Sequence, residues 1–124
     1  MSVTLDDVRQ IASRLPGVVE GDPSRFALAI RDGKGIAWAW LERVHPKKAR
    51  VVNHSVLAVV TPGLEAKEML LAAHPDALFT EPHYNGFPAV LVRLDIVDPS
   101  LMEDLLIEAW RCKAPKRLLV EYDR

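Results

Sequence analysis

The sequence has one cysteine, Cys112, among 124 residues, so no intramolecular disulfide can form and an oxidising compartment has left no mark on it. It has no run of the roughly eighteen apolar residues that a membrane helix needs; the longest, such as Val56 to Val60, are the length of a strand. Met1-Ser2-Val3-Thr4-Leu5-Asp6-Asp7 places no basic segment ahead of an apolar one, so no ordinary secretory signal is expected and the cytoplasm is the expected location. An excess of one charge is missing too. Sixteen basic residues against seventeen acidic ones leave a net charge of −1, and no bulk field recruits nucleic acid or anionic lipid. No linker or low-complexity stretch divides the chain, so residues 1–124 read as a single domain.

What is present is the balance of an ordinary globular domain, 49% hydrophobic and 27% charged. A chain of this size buries roughly two-thirds of the surface it exposes when unfolded, enough for a core without metals or disulfides. Thr4 and Asp7 have capping-box spacing, and Leu5, Val8, Ile11, Ala12 and Leu15 form an apolar stripe, which predicts a helix over 4–15 stopped by Pro16-Gly17. Glu20 to Ser24 reads as a loop. Phe26-Leu28-Ile30 and Ile36-Trp38-Trp40 then alternate with alanines around Arg31-Asp32-Gly33-Lys34-Gly35, the pattern of a β-hairpin. Alternation places both tryptophans on the face of Ile36, where they are expected to pack together.

Glu42 to Asn53 is polar and basic and is expected to be a loop or an edge; Val56 to Val60 is a third strand. Thr61-Pro62 predicts a second helix over 62–73 with Leu64, Met69 and Leu70 inward. A short strand at Ala77–Thr80, a turn at Tyr84-Asn85-Gly86 and a strand at Ala89–Leu94 follow. Asp98-Pro99 opens a third helix that Ala114-Pro115 ends, and residues 116–124 form a tail. The order is α-β-β-β-α-β-β-α. It predicts an α+β chain, a two-layer α/β sandwich whose antiparallel sheet carries its helices on one face.

Reactive motifs are scarce. No serine sits in a G-x-S-x-G elbow, and Gly33-Lys34-Gly35 has neither the leading glycine nor the trailing serine or threonine of a phosphate loop. No two of the four histidines have H-x₃₋₅-H spacing, so no metal and no cofactor is expected. His83-Tyr84-Asn85-Gly86 joins an ionisable ring and a phenol to a turn but has no evident catalytic partner, so enzymatic activity is not expected. Cys112 stands between Arg111 and Lys113, where cations can activate a thiol, though a helical cysteine is more often a small core residue. Two basic clusters stand out: Lys47, Lys48 and Arg50 (with Arg43 and His45) in the expected loop, and Arg111, Lys113, Lys116 and Arg117 at the end of the third helix. If folding joins them they form a cationic patch able to contact phosphates; otherwise they are a solvated loop and a complement to a helix dipole.

The order of elements and several motifs resemble the MmcQ/YjbR family of small bacterial proteins, over nearly the whole chain up to Leu118. The resemblance is carried by Leu15-Pro16-Gly17, Gly33-Lys34-Gly35-Ile36-Ala37, Pro82-His83-Tyr84-Asn85-Gly86 and Glu108-Ala109-Trp110, and by Ala114-Pro115-Lys116-Arg117-Leu118. Ala109 stands where the family commonly has serine. The resemblance implies a YjbR-like, or CyaY-like, two-layer fold and a DNA-binding label tied to a double-wing arrangement. It brings no agreed catalytic or binding residues. Frataxin-like iron chemistry does not follow, because Asp6, Asp7, Glu20 and Asp22 fall on different elements rather than on one acidic ridge.

The expected function is therefore that of a small, non-enzymatic binding protein. It would contact DNA weakly and with strong salt dependence through Lys47, Lys48, Arg50, Arg111, Lys113, Lys116 and Arg117, with His83 and Tyr84 making specific contacts. The alternative is a protein–protein module, or a homodimer, that uses the open sheet face or a sheet edge.

Overall fold

Thr4 and Asp7 close the capping box that their spacing predicts, with Asp7 N–H donating to Thr4 Oγ1 at 3.1 Å and Thr4 N–H to Asp7 Oδ2 at 2.9 Å. In the computed structural model, which describes residues 3–31 and 33–123, they open helix α1 (Leu5–Ala12). The helix ends before the expected Leu15. Arg14 and Leu15 donate to carbonyls three residues back, Ile11 and Ala12, so the last turn tightens before Gly17 reverses the chain at φ 77°. Asp32, in the expected hairpin loop, and Met1 and Ser2, in the expected N-terminal reading, lie outside the described residues.

Six strands form one antiparallel sheet: β1 (Val18–Glu20), β2 (Ala27–Ile30), β3 (Gly35–Glu42), β4 (Val51–Val60), β5 (Leu78–Phe79) and β6 (Ala89–Arg93), in the spatial order β1-β2-β3-β4-β6-β5. Helices α2 (Leu64–Ala73), α3 (Pro99–Lys113) and α4 (Lys116–Tyr122) complete the α+β fold. Asp98 caps α3 through the N–H groups of Ser100 and Leu101, as the Asp-Pro pair predicts. Two elements exceed the expected order. β1 has only three residues and no full alternation, and α4 buries little beyond Leu118 in a charged tail.

α1 and α3 cover one sheet face, burying Leu28, Ile30, Ala37, Ala39, Leu57, Val59, Val90 and Val92. Trp110, fully buried on α3, donates from Nε1 to Pro16 O at 2.9 Å and packs at a tilt against Tyr122 with 5.0 Å between ring centroids. The face expected to hold Ile36 with the tryptophans is corrected by a β-bulge. Ala29 pairs with Gly35 and Leu28 with Ala37, so Ile36 is the extra residue and turns toward the helices. Trp38 and Trp40 point to the other face, against Val56, Ala58 and Leu91.

The second helix also departs from expectation. Thr61 Oγ1 donates to Gly63 O at 2.9 Å instead of capping, and the N-cap is Gly63 at φ 112°. α2 packs chiefly along the β6–β5 side of the sheet, so its buried stripe is narrow. Lys67 is buried, Leu70 is half-buried, and Leu64 and Met69 face solvent rather than the core.

Candidate ligand site on the open sheet face

Among the described residues no helix covers the tryptophan face; the chain between β5 and β6 crosses it instead. Pro82 starts a 3-10 turn (Pro82–Tyr84) that brings the Tyr84 hydroxyl to 3.1 Å from Trp38 Nε1, which donates to it. This segment has no sheet ladder over the tryptophans, and Lys67 holds it from beneath. The Lys67 ammonium donates to Tyr84 O at 2.6 Å and to Phe87 O at 2.8 Å, and burial pulls its pKa below the ordinary lysine value. Edge-to-face contacts then join Tyr84 to His83 at 5.5 Å and to Phe87 at 6.0 Å, and Phe87 to Trp38 at 6.4 Å.

Arg50, at the end of the β3–β4 loop, donates to Leu41 O at 2.8 Å and lies 4.0 Å from Glu81 Oε1. With Trp38, Leu41, His83, Tyr84 and Phe87 it lines a concavity of about 400 Å³. Behind it Trp40 packs edge-on against Phe79 at 5.5 Å. Trp40 Nε1 and Glu81 Oε1 are buried without a hydrogen-bond partner, so the Arg50–Glu81 approach is a loose ion pair and leaves the guanidinium with donors to offer. A cation beside several aromatic faces can hold an anionic, flat ligand.

The fold brings Arg50, His83 and Tyr84 together and places Lys47 and Lys48 on the exposed loop next to them. It does not bring in the other cluster. Trp110 and Leu118 fix the end of α3 and the start of α4 against Pro16-Gly17, and Gly17 O accepts from Arg31 N–H at the opposite end of the strands. The two clusters are separated by the eight residues of β3, roughly 23 Å of extended chain, and form no common patch. Arg111 is engaged with Asp123 at 3.2 Å and lies over the Tyr122 ring.

Cys112 is at the surface of α3 rather than in the core. Its Sγ donates to Ala109 O at 3.2 Å, and partial burial of the sulfur raises the thiol pKa, disfavouring a reactive thiolate. Among the described residues no three His, Cys, Asp or Glu side chains are grouped to hold a metal ion. No helix of the described residues is long and apolar enough to cross a membrane. Sequence reasoning missed Leu41, Lys67, Glu81 and Phe87. Only Lys67 left a signal there, since it lies three and four residues before Leu70 and Leu71 on the stripe that α2 buries.

No family model matches the chain. It is 34% identical over 122 residues to the uncharacterised proteins Mb2600 of Mycobacterium bovis and Rv2570 of Mycobacterium tuberculosis, an alignment covering 94% of this chain and 92% of each of those. In fold it is similar to the crystal structure of Deinococcus radiodurans protein DR2400, which carries the domain DUF419. The TM-score is 0.65 at 22% identity, over 98% of this chain and 89% of that one.

Proposed function

The chain belongs to the family of the uncharacterised mycobacterial proteins Mb2600 and Rv2570, and from there we propose that it is a cytoplasmic, non-enzymatic nucleic-acid-binding protein of the MmcQ/YjbR type. Its binding surface is the open sheet face. Lys47, Lys48 and Arg50 take phosphates, and the rings of Trp38, His83 and Phe87 take unstacked bases beside Tyr84. The single observation that supports this reading is the sharing of one concavity by Arg50, Trp38, His83, Tyr84 and Phe87. Lys113, Lys116 and Arg117 are left out of the surface: Lys113 complements the C-terminal end of the α3 dipole, and Lys116 and Arg117 stand on the first turn of α4, away from the concavity.

The test is fluorescence anisotropy of labelled single-stranded and duplex DNA at about 50 and 200 mM salt. Saturable binding that weakens steeply with salt is expected. Lys47→Glu with Lys48→Glu should weaken it about tenfold or more, whereas Lys116→Glu with Arg117→Glu should change it less than about twofold. Absence of binding at low salt, or equal losses from both pairs, overturns the reading.

A second reading has one observation in its favour. Val44 and Val51 on either side of the β3–β4 loop, and Phe87 at the concavity, are exposed, which suits a protein partner or a second copy on this face. Sedimentation showing a dimer that Val51→Asp dissolves would support it over the nucleic acid.

A further inference from the structure

A second concavity lies on the other side of the molecule, between α2 and α3, and the open-face site makes no use of it. About 340 Å³ in volume, it is walled by Val60, Ala66, Leu70, Leu101 and Leu105, and its lining is almost wholly apolar. Met69 stands at its lip 67% exposed, a side chain that a core-facing helix would bury. Among the described residues the charged groups lining it are Asp104 and Glu108, one helical turn apart on α3, and Glu65 stands one turn before Met69 on α2.

Nothing among the described residues neutralises these carboxylates. None of the three takes part in an ion pair. The one cation of α2, Lys67, is turned away to the carbonyls of Tyr84 and Phe87, and Arg111 of α3 is engaged with Asp123. Like charges at i and i+4 repel, so Asp104 and Glu108 are held at a cost that a cation placed between them would relieve. An acidic rim of this kind also repels nucleic acid.

We propose that the α2–α3 groove docks a basic amphipathic helix of a partner protein. The partner's apolar residues at i, i+3/i+4 and i+7 would fill the trough over Leu70, Leu101 and Leu105, and its flanking Lys and Arg side chains would pair with Asp104, Glu108 and Glu65. Apolarity and rim charge select this occupant. A trough floored by two helices accepts the face of a third, and a rim carrying only carboxylates discriminates against an acidic helix of the same apolar pattern.

The test uses the full chain and two labelled peptides of about 15 residues, long enough to be helical when bound, with leucines at the same helical spacing and either Lys or Glu elsewhere. The Leu/Lys peptide should bind saturably with one-to-one stoichiometry in fluorescence anisotropy, and the Leu/Glu peptide should bind at least about tenfold more weakly. Asp104→Lys with Glu108→Lys, both exposed positions, should weaken the Leu/Lys peptide about tenfold or more. Lys47→Glu with Lys48→Glu, on the opposite face, should not weaken it. Equal affinity for both peptides, equal affinity of the α3 variant, or no binding at about 200 μM overturns the proposal. So does a dimer of the chain, seen by sedimentation, that the α3 variant dissolves, because a second copy would then occupy the groove.

Discussion

Replacing Lys67 with Met tests how the open face is held shut. Lys67 is 4% exposed, and its ammonium makes two hydrogen bonds, at 2.6 and 2.8 Å. Charge-assisted bonds of this kind contribute about 1.5–3 kcal/mol each. Both acceptors keep another partner, since Tyr84 O also accepts from Phe87 N–H at 3.0 Å and Phe87 O from Ala89 N–H at 2.8 Å, so neither carbonyl is orphaned. The variant also removes the cost of burying an ammonium group, several kcal/mol in a dry site. The net loss is then about 1–2 kcal/mol, a fall of roughly 4–8 °C in Tm for a chain of this size.

The loss also carries a pH signature. Burial lowers the Lys67 pKa below its ordinary 10.5, so the folded protein releases this proton before the unfolded chain does. Between the folded value and 10.5 the unfolded state binds more protons, and the parent gains stability as pH rises. Ionisable groups shared by parent and variant cancel in the difference. Urea unfolding of parent and Lys67→Met, followed by tryptophan fluorescence at about pH 7 and pH 9.5, should give a stability gap that widens with pH. A variant as stable as the parent at pH 7, or a gap that narrows toward alkaline pH, refutes the reasoning.

Three other perturbations probe the frame around the two concavities. Gly17→Ala places a Cβ 2.5 Å from Leu118 Cδ1 at a backbone φ of 77°, so it should cost about 1–3 kcal/mol in urea unfolding. Trp110→Phe keeps an aromatic ring in the core but removes the donor to Pro16 O; calorimetry should show a loss of about 1–2 kcal/mol, and the α2–α3 groove should keep its peptide affinity. Tyr84→Phe leaves Trp38 Nε1 without its acceptor, with an expected loss near 1 kcal/mol and faster iodide quenching as the cover loosens.

Much of the fold is legible in local chemistry. The Thr4–Asp7 box, the Asp98-Pro99 start of α3 and the Ala114-Pro115 break are short-range rules, and each holds where the residues predict it. Where the reading fails, the deciding partner is distant in sequence. The bulge at Ile36 arises from pairing with Leu28 and Ala29, and no alternation count along β3 alone contains it. Lys67 reads as a solvated helix residue until the chain seventeen residues later folds over it. The candidate site was half legible for the same reason. His83 and Tyr84 announce themselves at a turn, but Arg50 joins them only because β4 pairs between β3 and β6.

The two faces of the sheet meet opposite packing demands, and the site arises from that difference. On the helix side β3 presents Ala37 and Ala39, small enough for α3 to approach and seat the whole of Trp110 in the core. On the other side the same strand presents Trp38 and Trp40, which fill a layer by themselves and leave no helix to be accommodated. A cover of a few residues is then sufficient, but one that begins with Pro82 and ends with Pro88 loses two backbone donors and cannot join the ladder as a strand. It is held instead by Lys67 on its carbonyls, by Trp38 on its tyrosine and, at its end, by Thr61 N–H on Pro88 O. A cover fixed at those points and unpaired between them leaves a concavity at its margin, where Arg50 and the aromatic rings face solvent. The aromatic site and its lysine clamp therefore follow from one choice of residues over Ala37–Trp40 of β3, large on one face and small on the other.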